Sequence, residues 1–472
     1  MDRYEQLDAC INSAAEAFKK VDTSETIRIV SHLDSDGICA CSILIRALTN
    51  ENRKYSISIV HQLEENILRE LSHEDYKTYV FTDLGSGQIS NIKRFLPGRS
   101  IFILDHHELS TDKNPEDIVH INPHLFGIDG SREISGAGIT YKFVMAIDPK
   151  NREMAHIAIV GAIGDLQEEN GFKRLNDEIL STAKENGKIK VTKGLRVFGS
   201  QTRPIHKVIE YTTDPYIPGV TGSESAAIQF LQQIDINPKK GKEWKKLCNL
   251  TEEEQQKLAC AIILKRSLES HPEDIFGYTY LLTEEAPESP LKDAKEFSTL
   301  LNACGRMNKA SLGIGTCIGN KDSKQKAVNQ LFQYRKELIA ALKWYQDNKK
   351  SELVHQEKGF ILINAKDHIP FTFAGTIASI LSKSNEFEDK TYILSMAYTL
   401  EGTIKASLRI SGRKKEEADL KSILQEIIEK VGGESGGHTD AAGAIVPIEK
   451  EEEFLSVAIE TLRQKSMEEK VL

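Results

Sequence analysis

Short apolar runs recur along the first third of the chain, and four of them end on acidic or imidazole side chains. Ile27-Arg28-Ile29-Val30 leads into His32, Asp34, Asp36 and Gly37. The run from Lys77 to Thr82 ends at Asp83, with Gly85 and Gly87 beyond it, and Ile101-Phe102-Ile103-Leu104 ends at Asp105-His106-His107. The apolar stretch at residues 157–164 presents Asp165 and reads as either a buried helix or a strand. Runs at 27–31, 56–60, 78–82, 100–104 and 117–121 are short and β-prone, and helical patterns at 1–20, 38–50 and 153–162 lie around them. Strands alternating with helices predict an α/β fold with a parallel sheet covered on both faces. Ligands of such sheets bind beyond the carboxyl ends of the strands, where these acidic groups fall.

At 472 residues the chain exceeds one core. The first domain is expected over residues 1–195. A connecting, mostly helical region over 196–290 follows, punctuated by Pro204, Pro215 and Pro218, with helical runs near 223–233 and 252–270. Residues 291–460 are expected to form a smaller α/β domain across a cleft from the first, with a long polar helix inserted near 324–350. Strands at 360–363 and 392–396 and a hairpin feeding 404–410 belong to it, and residues 461–472 form a tail.

Hydrophobic content of 40% and charged content of 28% suit a soluble globular protein. There is no membrane-spanning run, and Met1-Asp2-Arg3-Tyr4-Glu5 is unlike a secretory signal, so a cytoplasmic location without membrane contact is expected. Seven scattered cysteines without a Cys-x-x-Cys pair point to reduced thiols. The net charge of −9 argues against coating nucleic acid by bulk electrostatics. Local contact is still available, because residues 186–209 hold no acidic group and carry Lys188, Lys190, Lys193, Arg196, Arg203 and Lys207. A second basic cluster at 239–246 includes Trp244, which could stack on a base.

Alternate side chains of an extended segment share a face, so His32, Asp34 and Asp36 can converge on one point. Converging carboxylates call for a divalent cation. A mixed Asp/His donor set suits Mn²⁺ best and Mg²⁺ second, with no cysteine-rich zinc site in sight. A pair of such ions can serve phosphodiester cleavage. Gly436 and Gly437 allow a backbone close to a phosphate, His438 adds a donor, and Arg409 and Arg413 flank Ser411-Gly412 as a second phosphate clamp. Of the other histidines, His61, His73, His120, His124 and His156 read as structural or surface groups, although Asn122-Pro123-His124 could reach a substrate at the same edge.

The order His-x-Asp-x-Asp-Gly, a lone Asp, Asp-His-His and Gly-Asp resembles the DHH phosphoesterase family. The stretch Gly436-Gly437-His438-Thr439-Asp440-Ala441-Ala442-Gly443 resembles that family's DHH-associated domain, with Ser435 where the family usually has a glycine. Arg203-Pro204, Asp214 to Gly219 and Leu300-Leu301-Asn302-Ala303-Cys304-Gly305-Arg306 are similar to the archaeal RecJ-like exonuclease branch. The resemblance implies a single-strand exonuclease acting on DNA or RNA in replication or repair. In it His32 and Asp34 would hold one metal, Asp36, His106 and Asp165 the other, and Asp83 would bridge them. Asp105 would support this shell and His107 would face the scissile phosphate. An oligoribonuclease or dinucleotide phosphodiesterase remains an alternative. So does a scaffold associated with the GINS replication complex, although the full ligand set favours activity.

Overall fold

The computed structural model describes residues 2–109, 117–169, 171–212, 215–269, 271–384, 386–412 and 419–468. Asp214 and Arg413 lie outside the described residues, and of His438 only the backbone is described. The chain falls into two compact units, Met1–Leu331 and Phe332–Leu472.

The first unit opens with α1 (Arg3–Lys19), capped by Asp2, whose carboxylate accepts from the Tyr4 and Glu5 amides. Five strands then alternate with helices: β1 (Thr26–His32), β2 (Lys54–Val60), β3 (Thr78–Thr82), β4 (Ser100–Leu104) and β5 (Ile118–Ile121). They pair in parallel in the order β2-β1-β3-β4-β5. The helices are α2 (Ser35–Asn50), α3 (Glu65–Ser72), α4 (Ile89–Phe95), α5 (Gly136–Ile147), α6 (Ala155–Gly164) and α7 (Arg174–Glu185). On one face Val30, Tyr79, Phe81, Ile101 and Ile103 meet Leu68 and Leu71 of α3 and Ile89 and Ile92 of α4. On the other, Phe102 of β4 meets the rings of Phe18 and Phe143 at 5.3 and 6.3 Å, beside α1 and α5. Helices therefore cover both faces. The ambiguous run at 157–164 is a helix, buried nearly all round.

Beyond this layer, β6 (Ile189–Leu195) leads into a small helical body. It comprises α8 (Ile205–Tyr211), α9 (Glu224–Gln233), the two-residue strands β7 (Lys239–Lys240) and β8 (Glu243–Trp244), and α10 (Glu252–Lys265). Ile205, Phe230, Leu231, Leu258 and Ile262 form its core. The chain returns along β9 (Phe276–Leu282), which pairs antiparallel with β6 as a ribbon. The strand propensity of this ribbon is masked in the sequence by lysines and glycines. Next come α11 (Ala294–Arg306) and α12 (Ala310–Cys317). The sequence pattern groups them with the C-terminal domain, but they lie in the first unit. The apolar face of α11, with Phe297, Leu300, Leu301 and Cys304 buried, packs against α6 and α2.

The polar helix α13 (Lys321–Asn348) carries the chain from the first unit to the second. The second unit is a six-stranded mixed sheet in the order β10-β11-β12-β13-β15-β14. Its strands are β10 (Val354–Glu357), β11 (Phe360–Asn364), β12 (Tyr392–Tyr398), β13 (Thr403–Ile410), β14 (Glu434–His438) and β15 (Ala441–Pro447), with helices α14 (Ala374–Ser382), α15 (Leu420–Val431) and α16 (Glu451–Glu468). Leu424, Ile427, Phe454 and Leu462 cover one face of this sheet. Among the described residues, no helix is long and apolar enough to cross a membrane.

Candidate metal centre

The parallel register decides which side chains meet. β1, β3 and β4 are adjacent, so the residues leaving their carboxyl ends, His32, Asp83 and His106, emerge side by side. The Asp83 amide continues the ladder by donating to the Leu104 carbonyl at 2.9 Å, and the Asp105 amide does so to Ile121 at 3.1 Å. Asp34 caps α2 by accepting from the Gly37 amide at 3.0 Å. That cap turns the chain so that Asp36 points back over the sheet. Asp36 accepts from the Gly136 and Ala137 amides at 2.6 and 3.1 Å, at the first turn of α5. Asp165 arrives from the C-terminal end of α6.

These side chains form three overlapping ligand groups: His32, Asp34 and Asp83; Asp36, His106 and Asp165; and Asp83, His106 and His107. Asp83 belongs to the first and third of these groups, and His106 to the second and third. His32 Nδ1 lies 3.0 Å from Asp34 Oδ2 and 3.5 Å from Asp83 Oδ2. His106 Nε2 lies 3.2 Å from both Asp83 Oδ1 and Asp165 Oδ2, and 3.7 Å from Asp36 Oδ2. Asp36, Asp83 and His106 make a buried floor, whereas His32, Asp34, Asp165 and His107 are partly exposed at the rim.

The donor set fits a cation on direct evidence. Both Asp83 carboxylate oxygens, His32 Nδ1 and His106 Nε2 are buried and make no hydrogen bond among the described residues. Leaving a charged group unsatisfied in this way costs more than the about 1–3 kcal/mol of a neutral one. Asp83 also holds a left-handed backbone, φ +60°. Room for its carboxylate depends on Gly136, where an added Cβ would press on Asp83. Burial and the Asp83 and Asp165 charges push the Asp36 carboxyl well above its usual range. Burial opposes charge on His32 and His106, but Asp34 and Asp83 for the one, and Asp165 and Asp83 for the other, outweigh it and raise both imidazoles. Carboxylates crowded this closely bind protons or a cation.

Asp105 stands apart from the ligand groups. Its Oδ2 accepts from the Ser86 amide at 2.9 Å, and its Oδ1 accepts from the His106 amide and meets His107 Nδ1, both at 2.8 Å. It therefore sets the direction of the His107 ring. Burial opposes charge there too, but Asp105 lifts the His107 pKa. Asn122 is fully buried and donates to Ser86 Oγ and the His107 carbonyl, which gives it a bracing place in place of the substrate-facing one.

Support for the loop carrying His32 and Asp34 comes from a distant segment. Asn302 Oδ1 accepts from the Ser35 amide at 2.9 Å, and Gly305 lets α11 press against the Leu33 carbonyl, where an added Cβ would collide. The sequence marks both residues only through the Leu300–Arg306 stretch, with nothing to say what they touch. Arg409 sits in the second unit. It donates to Ser379 Oγ at 3.1 Å and to the Leu408 and Ala442 carbonyls at 2.7 and 3.3 Å. Gly437, φ +133°, pairs with Ala442, so Arg409 and the glycine strand are close neighbours on that sheet. Of the second basic cluster, Lys245 and Lys246 pair with Glu254 and Glu288, and Trp244 packs on His206 at 4.0 Å.

Fold and site together define a doubly wound parallel-sheet protein with a carboxylate–imidazole centre at the carboxyl edge of its sheet. The chain belongs to the DHH family. The model of the DHH family N-terminal domain matches residues 26–164, that of the DHH-CID domain 197–274, and that of the DHHA1 domain 369–464. An uncharacterized protein of Methanocaldococcus jannaschii is 32% identical over 439 residues, 91% of each chain. A putative prophage-derived single-strand DNA-specific exonuclease of Bacillus subtilis is 29% identical over 120 residues, 25% of this chain and 20% of that one. The fold is RecJ-like: RecJ from Thermus thermophilus, solved in complex with Mn²⁺, aligns with a TM-score of 0.58 at 16% identity over 96% of this chain. This chain spans 55% of that RecJ. CDC45 from Entamoeba histolytica aligns with a TM-score of 0.64 at 10% identity, over 98% of this chain and 99% of that one.

Two outcomes are expected. Gly305→Ala pushes on the Leu33 carbonyl between two ligand candidates, and should weaken Mn²⁺ binding by about 10- to 100-fold with helix content retained, read by calorimetric titration and circular dichroism. Protons on His32 and His106 must leave before a cation binds there, and both imidazoles hold their protons above the usual imidazole value, so Mn²⁺ affinity should rise with pH through the neutral range and beyond it. An affinity indifferent to pH across that range would exclude these imidazoles as ligands.

Proposed function

We propose that this protein is a metal-dependent phosphodiesterase that shortens single-stranded nucleic acid from an end, in the manner its RecJ-like fold suggests. The observation that carries this reading is Asp83, a buried carboxylate whose oxygens make no hydrogen bond among the described residues and face the His32 and His106 rings, shared between two ligand groups. His32 and Asp34 are assigned to one divalent ion and Asp36, His106 and Asp165 to a second, with Asp83 between them. Mn²⁺ is the favoured ion and Mg²⁺ the next, from the mixture of imidazole and carboxylate donors. When bound, such ions neutralise the phosphate oxygens and lower the pKa of water.

The chain's own groups supply direction. Asp105 engages His107 Nδ1, so proton exchange with a substrate falls to Nε2. Against burial, Asp105 raises the His107 pKa above the usual imidazole value, which favours the cationic ring and suits it to stabilise a phosphate or to protonate the departing oxygen. In the second unit Arg409, the backbone of Gly436 and Gly437, and His438 are assigned to the terminal nucleotide or its phosphate, with Arg413 as a further candidate. A non-catalytic role in a replication assembly is the second reading. The CDC45-like fold is compatible with it, whereas a complete set of ligands has no purpose there.

Digestion of matched end-labelled single-stranded DNA and RNA with Mn²⁺, with Mg²⁺ and with EDTA separates these readings. Stepwise, metal-dependent shortening is expected, lost in Asp83→Ala and slowed by about 10²- to 10⁴-fold in His107→Ala. Cleavage of only the shortest oligonucleotides would favour an oligoribonuclease. A folded protein that cuts nothing with either metal would turn the assignment to the scaffold.

A further inference from the structure

One side chain beside the metal centre sits against the preference of its backbone. α6 ends in a two-bond cap, with the Leu166 amide donating to the Ile163 carbonyl at 3.1 Å and the Gln167 amide to Ala162 at 3.0 Å. That cap puts Leu166 in the left-handed region, φ +59°, a position that ordinarily selects glycine. Leu166 gains little burial in exchange, since it is 51% exposed, and it directly follows the ligand candidate Asp165. The loop around it is firmly held. The buried Gln167 amide donates to the Gly130 carbonyl at 3.0 Å, the same oxygen that meets His106 Nδ1 at 2.8 Å, and Asn176 holds its other end at 2.7 Å.

The same loop runs on to the ribbon of β6 and β9. An added Cβ at Gly171 would lie 3.5 Å from the Tyr278 ring, and Phe172 packs on Tyr280 at 5.1 Å. Leu166 and Gly171 are five positions apart, a span of at most about 17 Å, which no more than about five stacked nucleotides at about 3.4 Å each would cross. Tyr278 is 48% exposed and lies directly across the ribbon from Lys193. Lys193 is exposed and makes no ion pair among the described residues, whereas Lys188 is taken by Glu284. On the loop itself, Glu168 is paired with Lys295 at 3.0 Å and Glu169 is exposed. Leu166, Lys193 and Tyr278 all fall outside the segments matched by the three family models.

We propose that Leu166, Tyr278 and Lys193 form a track that guides single-stranded nucleic acid at the metal centre by its bases. Leu166 packs on the base beside the scissile phosphate. Tyr278 stacks on a base farther along, and Lys193 contacts a phosphate between them. The proposal rests on the phosphodiesterase reading for its substrate, and its test is a binding measurement that does not need cleavage.

Anisotropy of a fluorescein-labelled oligothymidylate is measured with Ca²⁺ in place of Mn²⁺, beside a strand of equal length carrying base-free tetrahydrofuran units at its end. Tyr278→Ala should weaken binding of the first strand by about 5- to 100-fold, and Leu166→Gly by several-fold, with the loss carried by KM when cleavage is followed. On the base-free strand wild type and variants should converge. Leu166→Gly supplies the residue the cap prefers, so its melting temperature should hold or rise; a fall would mark Leu166 as a packing residue and overturn its place in the track. Equal binding by wild type and both variants, or equal losses on both strands, would overturn the track. A protein that binds strands without cutting them defeats the exonuclease reading alone. One that cuts them and ignores both substitutions defeats the track alone.

Discussion

Asp83 brings two carboxylate oxygens into a buried space where neither makes a hydrogen bond among the described residues and the His32 and His106 rings, at 3.5 and 3.2 Å, stand opposite them. Proteins rarely leave a buried charge in that state, because the loss of hydration is recovered only by a partner. Much of the first unit is arranged around this point. The parallel order puts β3 between β1 and β4, so Asp83 has His32 on one side and His106 on the other. Its left-handed backbone turns the side chain toward the centre, and Gly136 at the start of α5 leaves room for it. A cation shared among these groups would balance the buried carboxylate charge.

The neighbouring carboxylates solve the same problem differently. Asp36 is met by the amides of Gly136 and Ala137, so the start of α5 stabilises its charge. Asp105 is satisfied by backbone amides and the His107 ring, which frees it from the need for a metal and makes it a rigid brace. Three aspartates at one sheet edge are thus fitted by their donors to three different roles: a candidate shared ligand, a candidate ligand held at a helix start, and an orienting group. The division follows from hydrogen bonding, which residue type alone does not reveal.

Much of the centre was legible because β-type runs announce where strands end, and the chemistry sits at those ends. Periodicity located all five parallel strands and left open only the run at 157–164, whose apolar residues fit either element. What stayed hidden depends on long-range contact. Asn302 holds the loop of His32 and Asp34 from more than 260 positions away, at a sequence separation of 267 from Ser35. The sequence pattern groups α11 with the C-terminal part and the contacts place it in the first unit, because an amphipathic helix shows that it packs but not on what. The β6–β9 ribbon is hidden in the sequence because lysines and glycines dilute its alternation, although the stretch without acids around Lys193 is plain. Asn122 showed the opposite error: a polar group at a sheet edge can serve the interior.

The end of α6 shows how local rules and site demands part company. Its cap has both hydrogen bonds of a well-formed helix terminus, and everything about that geometry selects glycine except the residue present. Sequences tend to satisfy local preference unless another requirement intervenes, and such exceptions gather at functional positions. Leu166 follows the ligand candidate Asp165 and lies on a loop pinned by the carbonyl that also orients His106. Tight anchoring on both sides means that the exposed side chain is presented in a fixed direction, with little entropy left to lose on contact. A rigid metal floor alone recognises phosphate wherever it occurs; an apolar rim beside it can distinguish a strand with bases from a bare phosphodiester.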